Sequence, residues 1–269
     1  MTVTAPAKIN LHLAVKDRRP DGYHNLESTF LALNFGDTLR FKPISGKNSV
    51  EIAMKGLDFS LPPEKNIIFK ALSVFREKTG FSQGLKINVE KRIPAGGGLG
   101  GGSSDAASTL LALNKLAGCP LSKDALLEMG ASIGSDIPFF IYETTAARVS
   151  GRGECIEPVE VPNNFFVLVN PGFPSDTAAA FRLLDEARAV EKNFHISNFL
   201  QVLKEPEKSV YKNIISRLHE LGAAPAELSG TGSTCFGVFN EEASAKKAAA
   251  LLRNEWSFVK LCGLWYFFS

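Results

Sequence analysis

Apolar and polar side chains alternate near the start of the chain, between residues 7 and 15. A period of two is typical of a β-strand with one buried face. Lys8 and Asn10 lie on the polar side of this predicted strand, so their side chains point in the same direction. The apolar side is formed by Ala7, Ile9, Leu11, Leu13 and Val15.

The pattern predicts further strands after a turn-rich segment at residues 18–22. Strand-like sequence returns at residues 29–33 and 38–41. At residues 85–89, every second side chain is apolar, and the positions between them are the polar residues Lys86 and Asn88. This alternation predicts a strand with one solvated face. Such a strand suits an antiparallel sheet.

Helix signals separate these strands. Asn66 is a good N-cap for a helix that reaches residue 79, and Gly80 is placed to end it. Ser103 or Ser104 can cap a second helix that reaches residue 116. The first half of the chain therefore combines strands and helices.

A break near residues 150–153 separates a second group of elements, which also mixes strands and helices. We expect two α+β domains, an N-terminal one at residues 1–152 and a C-terminal one at residues 153–269. The elements predicted in the second half are strands at residues 165–169 and 235–239 and helices at residues 177–190, 210–221 and 241–253.

Charge and composition exclude several classes of protein. The 269 residues include 30 basic and 28 acidic side chains, a net charge of +2, without the basic excess of a nucleic-acid-binding protein. No apolar run approaches the roughly 20 residues that cross a bilayer, and the N-terminus does not resemble a signal peptide. We expect a cytoplasmic protein with no nucleic-acid or membrane partner.

The cysteines indicate neither disulfide nor metal chemistry. They are scattered, with no pair at zinc or redox spacing. We interpret all of them as free thiols that are buried or have no functional role. They are Cys119, Cys155, Cys235 and Cys262.

A glycine-rich loop lies between a predicted strand and a predicted helix, with six glycines in the seven residues 96–102. Glycine allows positive φ and close approach to a ligand, and a helix N-terminus offers free N–H groups and partial positive charge. The segment therefore predicts a phosphate-binding site. Its residues are Pro94, Ala95, Gly96, Gly97, Gly98, Leu99, Gly100, Gly101, Gly102, Ser103 and Ser104.

The kind of phosphate ligand is not decided by the loop alone. The spacing of Gly96, Gly98 and Gly101 also fits the dinucleotide fingerprint, although a Rossmann unit requires a buried parallel strand before the loop. The Walker pattern is absent, because no Gly-Lys-Ser or Gly-Lys-Thr ends the segment. A different type of glycine loop is indicated.

Three smaller features have ordinary structural explanations as well as functional ones. Asp136 stands between Gly134 and an apolar run, where it could cap a turn or a helix instead of taking part in chemistry. Residues 229–233, Ser-Gly-Thr-Gly-Ser, form a second glycine-hydroxyl segment that could be a plain tight turn. Lys8 by itself would ordinarily be a solvated surface lysine.

Taken together, three segments resemble the GHMP kinase superfamily. Residues 94–104 resemble its central ATP loop, residues 229–233 its C-terminal glycine motif, and residues 5–10, Ala-Pro-Ala-Lys-Ile-Asn, its N-terminal motif. Their order and spacing fit along nearly the whole chain. The resemblance implies an ATP-dependent small-molecule kinase with a ribosomal-protein-like N-terminal domain and a ferredoxin-like C-terminal domain.

Residues 21–24, Asp-Gly-Tyr-His, and residues 134–138 most resemble a branch of this superfamily that phosphorylates a cytidine-diphosphate-linked alcohol in non-mevalonate isoprenoid biosynthesis. The resemblance implies that Lys8 and Asp136 are the catalytic pair and that ATP and Mg²⁺ are required. No acidic pair for Mg²⁺ stands out, so its protein ligands stay unassigned beyond loop hydroxyls such as Ser104. The implied substrate-binding residues are Asn10, Tyr23, His24, Thr177 and Phe181.

Other functions remain open at this point. A GHMP kinase with a mevalonate-like or homoserine-like acceptor would share most of the motifs. A dinucleotide-dependent oxidoreductase would use the glycines of the fingerprint, and a nucleotide-binding regulatory module would bind ATP without turnover.

Overall fold

The computed structural model describes residues 1–56, 62, 65–191, 194 and 196–267. The chain divides into two compact units, each assembled from three stretches of sequence. Unit 1 contains Met1–Ala7, Phe35–Ala95 and Gly100–Thr144, and unit 2 contains Lys8–Asn34, Gly96–Leu99 and Thr145–Ser269.

Both halves of the described chain contain strands and helices. The strands are β1 (Thr2–Arg18), β2 (His24–Ile44), β3 (Val50–Lys55), β4 (Gly84–Glu90), β5 (Ala146–Gly151), β6 (Cys155–Pro158), β7 (Phe165–Asn170), β8 (Ala226–Leu228), β9 (Cys235–Phe239) and β10 (Phe258–Cys262). The α-helices are α1 (Ile67–Thr79), α2 (Gly101–Leu116), α3 (Lys123–Ile133), α4 (Ile137–Tyr142), α5 (Thr177–Val190), α6 (Glu207–Glu220) and α7 (Glu242–Leu252).

Among its described residues, unit 1 combines a small mixed sheet with helices α1 to α4. The second part of β2 pairs antiparallel with β4, from Thr38 opposite Glu90 to Ile44 opposite Gly84. This agrees with the antiparallel pairing predicted for the strand with one solvated face. β3 pairs parallel with β4 and was not predicted. The buried side chains of this unit include Leu39, Phe41, Leu72, Phe75, Ile87, Leu110, Leu113 and Phe139.

Helix α1 forms where its capping signals predicted it. Oδ1 of Asn66 accepts a hydrogen bond from the backbone N of Ile68 at 3.0 Å, which satisfies one of the free N–H groups of the first turn. Gly80 ends the helix in the left-handed conformation with φ of 71°. The apolar face of α1 buries Ile68, Ala71, Leu72 and Phe75.

Helix α2 begins earlier than the sequence predicted. The expectation that Ser103 or Ser104 caps it is wrong, because the helix starts at Gly101 and Gly100 occupies the N-cap position with φ of 68°. No side chain caps this terminus. Gly100 reaches this left-handed conformation at little cost, and the first N–H groups of the helix lack a side-chain partner.

Unit 2 contains a four-stranded antiparallel sheet in the order β10-β7-β9-β8. Along the chain these strands and their helices follow the order β7, α5, α6, β8, β9, α7, β10. Numbered in chain order, the strands lie 4-1-3-2, with helices after the first and the third, which is the ferredoxin-like arrangement. The core of this unit includes Val167, Leu184, Phe199, Tyr211, Leu218 and Ala249.

Several predicted bounds differ from the observed ones. The predicted strands at residues 29–33 and 38–41 are parts of the single strand β2, and α6 begins at Glu207 instead of residue 210. The break at residues 150–153 is the turn of a hairpin in which Ser150 lies opposite Cys155. A domain boundary after residue 152 stays a prediction.

The remaining whole-chain expectations concern cysteines and membranes. All four cysteines are free; two of them are buried, and burial raises the pKa of the Cys262 thiol to about 12. Within the part of the chain that the structure describes, no helix has the length and apolar character required to span a bilayer.

Candidate active site

A buried polar cluster in unit 2 contains Lys8 and Asn10, which share one face of β1. Each residue is 4% exposed. Nζ of Lys8 donates to Oδ1 of Asn10 at 2.7 Å and lies 4.7 Å from the centre of the Phe30 ring, while Nδ2 of Asn10 donates to Oγ of Ser28 at 3.0 Å. The interpretation of Lys8 as a solvated surface lysine is therefore wrong. A buried ammonium with defined partners is more typical of a functional group.

The middle of the glycine loop is bonded to this cluster and to the second glycine segment. The backbone N of Lys8 donates to the carbonyl of Leu99 at 2.9 Å, and Oγ of Ser229 donates to the carbonyl of Gly98 at 2.9 Å. Gly98 has φ of 73°, and a Cβ added there would lie 2.2 Å from the Ser229 oxygen and 2.7 Å from that of Gly232. Only glycine fits this position.

The second glycine segment is more than a turn between β8 and β9. The backbone N of Asn10 donates to Oγ of Ser229 at 3.4 Å, so this hydroxyl joins the Lys8–Asn10 cluster to the glycine loop. Gly230 has φ of 60°, and a Cβ added there would lie 3.1 Å from Oδ1 of Asn10. Residues 8–10, 98–99 and 229–230, distant in sequence, are neighbours in space.

In unit 1, a buried charged cluster holds both ends of the glycine loop. Oδ1 of Asp37 accepts from the backbone N atoms of Arg92 and Ile93 at 2.5 and 2.9 Å, immediately before the loop. Nζ of Lys91 pairs with Oδ2 of Asp37 and, at 2.6 Å, with Oδ2 of Asp105, the fifth residue of α2. Strand β2, the end of β4 and the start of α2 are thereby fixed together.

Burial and charge shift the titration of this cluster. Burial, reinforced by repulsion from Asp37, raises the pKa of Asp105 to about 7, although Lys91 opposes the rise. Burial by itself would lower the pKa of Lys91, but the two carboxylates outweigh it and the pKa is raised. Two buried oxygens beside the loop, Oγ of Ser104 and Oδ1 of Asp105, have no hydrogen-bond partner among the described residues. Buried polar atoms are normally paired, so these two are available to a ligand.

Sequence reasoning missed Asp37, Lys91 and Asp105. Lys91 and Asp105 stand just before and just after the glycine loop, and an ionisable residue on each side of a phosphate loop is a usable signal. No local signal indicated Asp37, because its contacts are 54 and more residues away in sequence.

Asp136 lies directly before helix α4 and is half-buried. Its side chain makes no capping hydrogen bond to that helix, so the helix-cap interpretation has no support from the geometry. Asp136 belongs to unit 1 and Lys8 to unit 2. Their pairing as catalytic residues stays a prediction.

An aromatic group in unit 2 contains three of the predicted substrate-binding residues. Tyr23 is 53% exposed, whereas His24 is 6% exposed. The His24 ring stacks on Phe181, with ring centres 5.2 Å apart and planes inclined by 28°, and its Nε2 lies 2.8 Å from Oδ1 of Asp185. The histidine is therefore the buried residue of this adjacent pair, and the tyrosine is the exposed one. The sequence did not indicate Asp185.

Thr177, another predicted substrate-binding residue, is the first residue of α5. Its Oγ1 lies 3.1 Å from Oγ1 of Thr231 in the second glycine segment. Asp176 caps the helix by accepting a hydrogen bond from the backbone N of Ala179 at 2.9 Å. The N-terminus of α5 therefore adjoins the second glycine segment.

The chain belongs to the GHMP kinase family. The family model for the GHMP kinases N terminal domain matches residues 66–144, and that for the GHMP kinases C terminal matches residues 179–257, together more than half of the chain. A solved homoserine kinase from Cytophaga hutchinsonii has a TM-score of 0.69 at 19% identity, over 98% of this chain and 94% of that one, and supports the fold alone.

More specific similarities concern one member of this family. The chain is 37% identical to a 4-diphosphocytidyl-2-C-methyl-D-erythritol kinase from Thermodesulfovibrio yellowstonii, over 95% of both proteins. It is 38% identical to the kinase of the same name from Pseudoalteromonas translucida, over 95% of this chain and 90% of that one. A crystal structure of a 4-(cytidine 5'-diphospho)-2C-methyl-D-erythritol kinase has a TM-score of 0.79 at 31% identity, covering 98% of this chain and 99% of that one.

These findings decide between the classes left open by the sequence. The protein is an ATP-dependent small-molecule kinase, and the oxidoreductase interpretation is not supported. The strand before the glycine loop, β4, pairs antiparallel with β2. In a dinucleotide-binding unit, the strand before the loop lies in a parallel sheet, with parallel strands as its neighbours.

Proposed function

We propose that this kinase transfers the γ-phosphoryl group of ATP to the 2-hydroxyl of 4-diphosphocytidyl-2-C-methyl-D-erythritol, a step of non-mevalonate isoprenoid precursor synthesis. The observation that carries the proposal is the group formed by Tyr23, His24 and Phe181, which offers an exposed ring beside a buried imidazole. The relatives named for this activity match along nearly the whole chain. The proposal places the reaction in the cytoplasm.

ATP binds, in this proposal, at the glycine loop of residues 94–104. Gly96, Gly98 and Gly100 all have positive φ, so the loop turns repeatedly and presents backbone instead of side chains. The start of α2 adds N–H groups that have no side-chain cap and the positive end of a helix dipole. This combination suits the phosphates of a nucleotide.

Lys8 and Asp136 perform the chemistry in this proposal. The transition state of phosphoryl transfer is loose, so orientation and charge stabilisation supply most of the rate enhancement. The ammonium of Lys8 is held in place by Asn10 and stabilises the negative charge that develops on the transferred group. Asp136 accepts the proton of the attacking hydroxyl.

Mg²⁺ accompanies ATP in this proposal. Within the described residues, no group of three or more His, Cys, Asp or Glu side chains could hold a metal ion. Oγ of Ser104, a buried hydroxyl with no hydrogen-bond partner among the described residues, would help the ATP phosphates to hold the ion. The ion neutralises phosphate charge when it is bound.

The acceptor binds in this proposal through its cytosine. The exposed ring of Tyr23 stacks on the base, His24 and Phe181 flank it, and Asn10 and Thr177 contact the polar groups of the substrate. Base stacking on an aromatic ring is typically worth about 1 to 3 kcal/mol, which is enough to select a nucleotide-linked alcohol over a simple one.

The test is an ATP-turnover screen with 4-diphosphocytidyl-2-C-methyl-D-erythritol, mevalonate and homoserine as acceptors. We expect turnover with the first alone, and ³¹P NMR of the product should show a new phosphomonoester on the 2-hydroxyl. Turnover with mevalonate or homoserine instead would leave the kinase class intact and contradict the acceptor. Absence of turnover with all three acceptors would also contradict the proposed acceptor.

A further inference from the structure

The His24 ring is held by two residues of helix α5 that are one turn apart. Phe181 covers one face of the imidazole, and Asp185, four positions later, meets its edge with Oδ1 2.8 Å from Nε2. Positions i and i+4 lie above one another on a helix, so one strip of α5 fixes both the plane and the rotation of the ring. Thr177 begins the same strip four positions earlier.

The contact with Asp185 also determines which ring nitrogen carries the proton. A carboxylate only accepts hydrogen bonds, so Nε2 must be the donor. In a neutral imidazole, Nδ1 is then an acceptor. Among the residues that the structure describes, none forms a hydrogen bond with Nδ1 of His24. The acceptor lone pair is therefore available to a ligand.

The other oxygen of Asp185 has a separate partner. Nη1 of Arg18 lies 3.6 Å from Oδ2, which leaves Oδ1 for His24. The side chain of Asp185 is 33% exposed and that of His24 is 5% exposed. The imidazole is therefore the buried member of the pair, where a mismatched hydrogen bond costs most.

We infer that Asp185 is a positioning residue that selects cytosine over uracil by holding His24 as the Nε2–H tautomer. This inference rests on the proposed function. An Nδ1 acceptor complements the exocyclic amine of cytosine, which donates hydrogen bonds. With uracil, Nδ1 of His24 would instead face a carbonyl oxygen. Both atoms are acceptors, so no hydrogen bond would form between them. Specificity of this kind depends on leaving a buried group unpaired in the wrong complex.

The test compares three proteins: wild type, Asp185→Leu and Asp185→Glu. Leucine removes the acceptor and favours helix, while glutamate keeps an acceptor-only carboxylate. The first measurement is the ratio of the dissociation constants of uridine diphosphate and cytidine diphosphate. We expect Asp185→Leu to lower this ratio about 5-fold to 30-fold, with ATP affinity unchanged, and Asp185→Glu to recover most of the preference.

The second measurement is the tautomer of His24, read from ¹⁵N NMR of the ring nitrogens and assigned by loss of the signals in His24→Gln. We expect the Nε2–H tautomer in wild type and Asp185→Glu and a mixture in Asp185→Leu. A merely structural role for Asp185 would not move this signal. Glu186→Leu is the matched control, because Glu186 is an exposed carboxylate on the same helix that lies 3.7 Å from Lys204. It should change neither measurement.

The outcomes separate this inference from the proposed acceptor. If wild type prefers cytidine diphosphate and Asp185→Leu retains both the preference and the tautomer, only the role of Asp185 is refuted. A changed tautomer with an unchanged preference refutes it as well. If wild type itself binds the two diphosphates equally, the proposed acceptor fails, and base selection by Asp185 fails with it.

Discussion

At the scale of single residues, Gly98 has little freedom to change. We expect Gly98→Ala to abolish measurable ATP binding, because the added Cβ would lie 2.2 Å from the backbone oxygen of Ser229 and φ is positive. The contact is with backbone, so a rotamer change cannot relieve it. Calorimetric titration with ATP measures the effect, and circular dichroism checks the fold.

Gly118→Ala is the matched control for this prediction. Gly118 has φ of 82°, as unfavourable for alanine as that of Gly98, but a Cβ there meets nothing within 4 Å. It should cost stability of about 1 kcal/mol and leave ATP affinity unchanged. Normal ATP affinity in a folded Gly98→Ala protein would remove the loop from the site.

Asp136 allows a second test at this scale. Asp136→Asn keeps the shape of the side chain and removes the base, so we expect phosphoryl transfer to fall roughly 10² to 10⁴-fold, with ATP binding and melting temperature retained. Steady-state turnover and thermal unfolding are measured on the same samples. Asp124→Asn, which alters an exposed carboxylate in the first turn of α3, should change neither. Near-normal turnover in Asp136→Asn would refute its role as the base.

At the scale of elements, the buried cluster of Asp37, Lys91 and Asp105 links β2, β4 and α2 and makes stability depend on pH. The pKa of Asp105 is raised to about 7 from an ordinary value of 3.8. Between these values the folded protein binds more protons than the unfolded chain. The contribution of Asp105 to the free energy of unfolding therefore falls as pH rises from about 4 to about 7, then levels off.

We expect Asp105→Asn to remove this part of the pH dependence. The amide cannot ionise, and its oxygen can still accept a hydrogen bond from Lys91. Urea unfolding of wild type and Asp105→Asn at pH 5, 6, 7 and 8 measures the difference in free energy of unfolding. That difference should shift in favour of the variant as pH rises. A difference that is constant across the range would contradict the raised pKa.

At the scale of the whole molecule, a ligand that binds only the folded state stabilises the entire protein by mass action. Cytidine diphosphate at 100 times its dissociation constant should add about 2.7 kcal/mol. For a protein of this size, that corresponds to an increase in melting temperature of roughly 5 to 10 °C. Uridine diphosphate at the same concentration should produce a smaller increase.

Tyr23→Ala shows whether this stabilisation depends on stacking. Tyr23 is 53% exposed, so its loss should change the stability of the unliganded protein by no more than about 0.5 kcal/mol. Loss of one stacked ring should weaken cytidine diphosphate binding by roughly 5-fold to 150-fold. Differential scanning fluorimetry should then show a reduced shift with cytidine diphosphate and an unchanged shift with ATP. An unreduced cytidine diphosphate shift would exclude Tyr23 from the base site.

Local signals in the sequence were sufficient for many elements. Asn66 and Gly80 bracket α1 because capping depends on bonds within a few residues, and β9 and α5 have the predicted bounds. The glycine loop was recognisable for the same reason, since its conformational demands are local. The predicted start of α2 was wrong, because serine capping rules do not apply where glycines let the helix begin earlier.

The sequence by itself determined the mixed α+β class, the glycine loop and the family, because each is recorded in local patterns or in the order of motifs. Only the tertiary structure decided which polar residues are buried and with what partners. Asp37 meets Lys91, and His24 meets Asp185, across 54 and 161 positions of the chain. Such contacts depend on how strands and helices pack, and no periodicity along the chain records that packing. The local pattern places Lys8 on the solvated face of β1. Tertiary packing buries its side chain there, and Asn10 accepts its hydrogen bond.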